Sequence, residues 1–400
     1  MKTTSRLPLA ATALAVVCGF LAASPATAAG RPAAGHPRPT TPATWAARAG
    51  NAYDALQKNL YQGPAEHGLY AEQTPQAATD NPHSYLWEFR EATEAAMDMA
   101  ALPHGGQAYT ADAAERFDTL QLYFNPRDGR PGYDSYLPAP LGQDGDVFYD
   151  DNAVVGLSLL DQYRATGDRT YLDRAETAYG TVSRGWDTDQ SKTCPGGMDW
   201  TDTPTNTVRA ANVTGLAAEL AARLYQADPD SRFLTSAKTW YGWNRDCLRQ
   251  APGLYNNDRD DDGTVNTTLW TYNSGAMVGA ATALYRDTGD RGYLGKAVED
   301  ADASLAYWTQ GTRLHDQPAV FNAFYFADLA GLDAVRPDPR YRAAAAAYAE
   351  QTWQHNRDAA TGLFRFQPSG GGDYDPAGPA QTLEQSAMVQ ILAGLATRSR

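Results

Sequence analysis

Tyr163-Arg164-Ala165-Thr166-Gly167-Asp168, followed by Tyr171-Leu172-Asp173-Arg174-Ala175, reads as the end of one helix, a turn and the start of the next. Gly167 suits the left-handed residue that stops a helix, and Asp168 can cap the helix that follows. Tyr171, Leu172 and Ala175 then supply the apolar spacing that packs the second helix back on the first. The joint returns as Tyr285-Arg286-Asp287-Thr288-Gly289-Asp290 with Tyr293-Leu294-Gly295-Lys296-Ala297. A weaker copy runs from Tyr225 through Asp228 and Asp230 to Phe233-Leu234, so the leading tyrosines stand 62 and 60 residues apart.

Working outward, Ala-rich segments with apolar residues three and four apart recur, while alternating Val/Ile/Thr runs are nearly absent. Twelve helices are expected, over 44–61, 84–101, 109–124, 150–165, 170–184, 207–226, 231–246, 272–286, 291–308, 319–334, 339–354 and 382–397. A helical hairpin cannot bury its faces alone, so neighbours must stack. Six hairpins close into an all-α (α/α)6 toroid of inner and outer helices; an open solenoid is the alternative. The even-numbered helices follow the long connections and are expected inside, with their N-termini opening on one face. The connections Asn125–Tyr149, Gly185–Asn206, Cys247–Trp270 and Asp358–Gln381 are rich in Gly, Asp, Trp and Tyr. Long connections of that kind usually carry function.

The start of the chain reads as an export signal. Lys2 and Arg6 precede an apolar stretch from Leu7 to Ala23, and Ala26-Thr27-Ala28 gives the cleavage pattern, so residues 1–28 are expected to be removed. That stretch is too short to anchor a membrane. Residues 29–43, rich in Pro, Ala, Thr and Gly, read as a disordered lead-in, and 44–400 as one catalytic domain. A secreted, extracellular monomer is expected. The formal charge of −14 argues against nucleic acid and anionic membranes as partners. It permits a neutral polysaccharide or oligosaccharide. After cleavage two cysteines remain, Cys194 and Cys247. An even count in an exported chain favours a disulfide, worth about 4 kcal/mol in the chain-entropy picture; two buried thiols are the alternative.

The sharpest chemical feature is Phe148-Tyr149-Asp150-Asp151-Asn152-Ala153 at the start of the fourth helix. Two adjacent carboxylates sharing a partly buried site repel, which raises at least one pKa. Retaining glycoside hydrolysis needs that split, with one ionised nucleophile and one protonated acid. Consecutive helical positions point about 100° apart, so the pair is expected at the cap, with Asp150 still extended. Ordinary capping is the competing explanation of both residues.

Tyr149-Asp150-Asp151-Asn152 with Gly156-Leu157, and the joint from Tyr163 to Ala175 after it, resembles glycoside hydrolase family 76, the endo-α-1,6-mannanases. Gly196-Gly197-Met198-Asp199-Trp200 leading to Asn206 and Asn212, and then Thr271-Tyr272-Asn273-Ser274-Gly275, are similar to further elements of that family in the same order, over roughly 85–310. The resemblance implies Asp150 as nucleophile and Asp151 as acid and base in cleavage of α-mannan. Val154 and Ser274 depart from the family's usual aromatic residue and Gln.

Trp87, Trp200, Trp270 and Tyr272 are candidate stacking surfaces for sugar rings, with core packing as the alternative, and Tyr149 is a further candidate for substrate binding. Asn206, Asn273 and Asn322 are candidate partners of sugar hydroxyls, and Glu88 and Glu384 begin inner helices. Asp258, Asp260, Asp262 and Gly263 follow the spacing of a calcium loop, but Leu269 stands where the bidentate Glu belongs, so a polar turn is preferred to bound calcium. The six histidines show no metal-ligand spacing, and no metal or organic cofactor is expected. A transglycosylase on the same substrate and a non-catalytic glycan-binding toroid are the alternatives.

Overall fold

A computed structural model describes residues 40–127, 129–367 and 375–397; the expected signal and the lead-in up to residue 39 lie outside the described residues. Its helices are α1 (Pro42–Asn59), α2 (Leu86–Ala100), α3 (Thr110–Leu120), α4 (Tyr149–Thr166), α5 (Arg169–Ser183) and α6 (Ala211–Ala227). They continue as α7 (Ser231–Cys247), α8 (Thr271–Thr288), α9 (Arg291–Trp308), α10 (Ala319–Asp333), α11 (Pro339–His355) and α12 (Thr382–Ala396). Each even-numbered helix packs on the odd-numbered helix after it, and α12 packs on α1 from the other end of the chain. The even helices also pack on one another in sequence, and α12 meets α2, so the inner ring closes into an (α/α)6 toroid.

Local chemistry accounts for the hairpins. Gly167 (φ 73°) and Gly289 (φ 68°) end α4 and α8 in the left-handed conformation, and the Asp168 and Asp290 side chains accept from Thr170 N and Gly292 N. Asp230 caps α7 in the same way, and so does Asp338 at α11. Burial separates the rings. In α4, α6, α8 and α12 nearly every residue of the first three turns is buried, whereas α5 and α11 bury a stripe.

The seam is held by polar contacts between the two ends of the domain. Thr382 N donates to Glu72 O at 2.9 Å, Gln385 Nε2 to Ala52 O at 2.8 Å, and Gln390 Nε2 to Glu91 Oε2 at 2.8 Å. A short antiparallel pair, β1 (Gln73–Thr74) with β8 (Ala380–Gln381), lies beside them. Another, β2 (Phe124–Asn125) with β3 (Gly132–Tyr133), precedes α4.

Two expectations need correction. The helix expected from residue 207 begins at Ala211, because Val208–Ala210 form strand β4. The connection before α8 is not a polar turn alone. It folds as β5 (Arg249–Ala251), β6 (Leu254–Asp260) and β7 (Val265–Leu269), with β4 and β7 both paired to β6. Cross-strand hydrogen bonding, not an apolar alternation, holds this sheet, so the helix-seeking pattern passes over it. Asp258 accepts from Asn257 and Asn266, Asp260 from Thr207, and Asp262 from Thr264 N. Among the described residues no group of three or more His, Cys, Asp or Glu is placed to hold a metal ion. None of the described helices is long and apolar enough to cross a membrane.

A Cβ placed on Gly289 would meet nothing within 4 Å, so its positive φ alone should resist substitution. Gly289→Ala is expected to lower unfolding free energy by about 1 kcal/mol in denaturant titration, and Gly289→Asn by less, since Asn tolerates that conformation.

Candidate active site

Closure of the ring gathers the N-termini of the inner helices around one opening, the mouth, and several side chains at their second or third positions face it. On α4 these are Asp150 and Asp151, each only 8 % exposed. The helix is capped by Phe148, with φ −96° and ψ 131°, so both aspartates lie inside the first turn. The expectation of an extended Asp150 is corrected. The divergence of consecutive helical positions is instead used, because an inner helix has an inner neighbour on each side. Asp150 turns toward α6, where Asn212 Nδ2 donates to its Oδ2 at 2.7 Å. Asp151 turns toward α2, where Glu88 and Glu91 act on it electrostatically.

The two carboxyls therefore differ in surroundings. Burial raises Asp150 from the ordinary 3.8 to about 6, and four hydrogen bonds oppose the rise: from the Trp200 indole, the Asp151 N–H, its own N–H and Asn212. The Trp200 contact spans 3.2 Å from Nε1 to Oδ2, and the Asp151 N–H reaches Oδ1 at 3.1 Å. Asp151 is raised well above the usual carboxylate range by burial first, then by repulsion from Asp150 and from Glu88 and Glu91 in their ionised forms. It has no matching set of donors. Coulombic repulsion and unequal hydrogen bonding thus leave Asp150 the stronger acid of the pair.

Aromatic rings gather at the starts of α2, α8 and α10. Phe321 on α10 stacks on Tyr272 with ring centroids 4.0 Å apart and planes 3° apart. Trp87 lies 6.1 Å from the same ring and nearly parallel, and Trp270 meets it edge-on at 5.4 Å. Trp87 Nε1 also donates to Glu91 Oε1 at 3.0 Å, which fixes the indole from below. Trp200 is 39 % exposed beside Asp150 and rests edge-on against Phe148. Glu88 and Glu384 start α2 and α12; burial raises them to about 8 and about 7.

The structure brings Trp87, Trp200, Trp270 and Tyr272 to the mouth and places the other candidates elsewhere. Tyr149 is buried with its ring against Gly185, where a Cβ would stand 2.7 Å from the ring. Asn206 spends its amide inside its own connection, accepting from Trp200 N and Thr201 N and donating to Val208 O. Asn322 is fully buried and donates to Leu314 O at 2.8 Å, in the connection that enters α10. Asn273 is fully buried on α8, and among the described residues neither end of its amide has a hydrogen-bond partner. Ser274 donates to Gly253 O and receives the Trp308 indole, both structural contacts. Cys194 and Cys247 form a disulfide with Cα atoms 6.1 Å apart, which ties the connection carrying Trp200 to the end of α7.

Asn212, which the sequence offers only as the end of a family-like element, is the amide that reaches Asp150, and Phe321 carries no motif at all. Both sit at the second or third position of an inner helix, the same positions as Asp150, Trp87 and Tyr272, and that place in the repeat is the signal that marks Phe321.

Residues 44–399 match glycosyl hydrolase family 76, and the chain belongs to that family. Among solved structures, the family 76 mannosidase Bt3792 of Bacteroides thetaiotaomicron superposes with a TM-score of 0.76 at 22 % identity, over 88 % of this chain and 98 % of that one. The α-1,6-mannanase GH76A of Salegentibacter gives 0.71 at 22 % identity, over 88 % and 99 %. An inactive variant of that mannanase, with two consecutive aspartates replaced by asparagine, is in complex with α-1,6-mannotriose. A curated relative, the mannan endo-1,6-α-mannosidase DFG5 of Candida albicans, is 24 % identical over 57 % of this chain and 51 % of its own length. The chain thus spans about half the length of that relative.

Because Asp150 holds its proton more tightly folded than unfolded, the stability it contributes is present below pH 4 and lost as pH rises through about 6. Asp150→Asn should therefore remove part of the fall in melting temperature between pH 4 and pH 7. Asn212→Ala should move the acidic limb of the pH–rate profile upward by removing a donor to the ionised form.

Proposed function

We propose that this chain is a secreted, retaining endo-α-1,6-mannanase. The observation that carries the reading is the unequal treatment of two adjacent buried carboxyls: Asp150 receives the Trp200 indole and the Asn212 amide, while Asp151 faces the acidic α2. Asp150 is the nucleophile. Its carboxylate attacks the anomeric carbon as the glycosidic bond breaks, and the departing oxygen takes the proton of Asp151. The resulting ester is opened by water, whose proton returns to Asp151, and Asp150 is released as carboxylate.

Forming the ester neutralises Asp150, which lowers the repulsion on Asp151 and lets it ionise in time to act as base. The first turn of α4 favours the anion that reappears at the end, through its free N–H groups. The wall of Phe321, Tyr272, Trp87 and Trp270 offers apolar faces to sugar rings. The α-1,6-mannan substrate is supported by family membership and by what the related enzymes act on. Export is supported by Lys2, Arg6, the apolar stretch and Ala26-Thr27-Ala28.

The roles separate kinetically. On linear α-1,6-mannan, followed by reducing ends and product sizes, Asp150→Asn and Asp151→Asn should each lose at least about a thousandfold in rate. On an aryl α-mannoside whose leaving group needs no proton, Asp151→Asn should recover formation of the intermediate while Asp150→Asn stays inactive. Equal loss for both variants on both substrates would contradict the division of labour.

A further inference from the structure

The connection that delivers Trp200 is assembled around one buried cation. Arg209, in β4, is fully buried, and its guanidinium serves backbone. Nη1 donates to Cys194 O and Gly196 O at 2.9 Å each, and Nη2 to Thr193 O at 3.2 Å. The nearest carboxylate, Asp187, stands 3.8 Å from Nε. Burying a guanidinium is costly unless its donors are occupied. Here carbonyls of an irregular connection occupy Nη1 and Nη2, while Nε, among the described residues, has only the charge of Asp187 nearby.

The neighbouring contacts turn this clamp into a fixed path. Trp243 Nε1 donates to the same Cys194 carbonyl at 3.1 Å. Gly197 has φ +94°, and a Cβ there would stand 2.4 Å from the Trp243 ring. From Gly197 the chain runs through Met198, whose carbonyl accepts from Ala210 N at 3.0 Å, and through Asp199, whose backbone pairs antiparallel with the backbone of Arg209. Trp200 O then receives Tyr149 N at 2.9 Å. The indole that reaches Asp150 is thus referenced on one side to α4 and on the other to β4, and the guanidinium of Arg209 holds the carbonyls upstream of it in the same connection.

We propose that Arg209 is a positioning residue of this site: by gathering the Thr193, Cys194 and Gly196 carbonyls it sets the Trp200 indole against Asp150, and the disulfide at Cys194 is secondary to it. The inference rests on the reading of Asp150 as nucleophile. The groups that face Asp150 and its partner are Asp151 on the same helix, Glu88 and Glu91 on α2, and Tyr272 on α8. The contact from α6 is the uncharged Asn212 amide. Arg209 spends its hydrogen bonds on the Thr193, Cys194 and Gly196 carbonyls and stands three residues before Asn212, so a change there reaches Asp150 through Trp200 on one side and through the start of α6 on the other, and the indole reports the first route.

The test reads the indole directly. The Trp200 Nε1–H resonance, assigned by its loss in Trp200→Phe, is followed against pH in the free protein. In wild type it should titrate with Asp150 near pH 6. In Arg209→Lys, which keeps the charge and loses the fork, the midpoint should move up or the titration disappear. On mannan, kcat/KM should then fall about tenfold to a hundredfold, the worth of a hydrogen bond to a charged group, with the acidic limb shifted upward. Wild type with its disulfide reduced should melt lower and keep the wild-type titration.

Two results would overturn the proposal: Arg209→Lys less stable with the indole titrating as in wild type, or reduction alone abolishing the titration. Loss of the titration on reduction alone overturns the proposal even where the Arg209 variant fails to fold. A wild type that titrates as described and does not cut α-1,6-mannan would sink the substrate reading and leave the positioning role standing.

Discussion

Glu91 receives Gln390 across the seam where the last inner helix meets the first, and on this closure the rest of the molecule depends. Its carboxylate also accepts from Arg90 Nη1 at 2.7 Å and from the Trp87 indole, so one fully buried group ties α12 to α2 and sets a wall of the mouth. A buried carboxylate with fewer partners would cost several kcal/mol. Closing the inner ring brings the inner N-termini together without any long-range sequence motif. It also gives each inner helix two inner neighbours, which is why two consecutive aspartates can both face the mouth, one toward α6 and one toward α2.

The chemistry follows from that asymmetry. The neighbour of Asp150 offers an amide, and a connection from outside the ring offers an indole. The neighbour of Asp151 offers Glu88 and Glu91. Burial is common to both, so it raises both; the difference comes from donors on one side and negative charge on the other. Acidity continues down the axis. Beneath the mouth, toward the C-terminal ends of the inner helices, lies a cavity of about 310 Å³ lined by Arg90, Glu94, Asp98, Asp161, Glu219 and Arg223 among others. Glycines on α8 make room there, since a Cβ on Gly279 would stand 2.3 Å from Asp328 Oδ1 and 2.6 Å from Glu219 Oε2.

The fold was legible because the joints are written in local chemistry. Gly167-Asp168 and Gly289-Asp290 state a stop and a start within two residues, and both behave so in the structure. Asp338 caps α11 equally well but follows no left-handed glycine, so it carries no comparable signal. Val208–Ala210 read as helix because the apolar pattern of α6 runs into it, and pairing with β6 decides otherwise. In the site, Asp150 and Asp151 stood out as a pair and Trp200 as part of a glycine-tryptophan motif. Phe321 lies within the apolar run from Ala319 to Phe326, where composition cannot tell an inward ring from a packed one. Asn206 and Asn322 drew notice as amides near helix starts, but irregular backbone nearby claims their hydrogen bonds.

The central claim is that Asp150 becomes covalently attached to the sugar. Incubation with an activated α-mannoside bearing fluorine at C2, which slows release of the intermediate, followed by intact-mass and peptide mass spectrometry, tests it most directly. The account predicts one fluorosugar per chain, mapped to Asp150, with loss of activity in step. A label on Asp151 or elsewhere, or inverted products with no adduct formed, would contradict it.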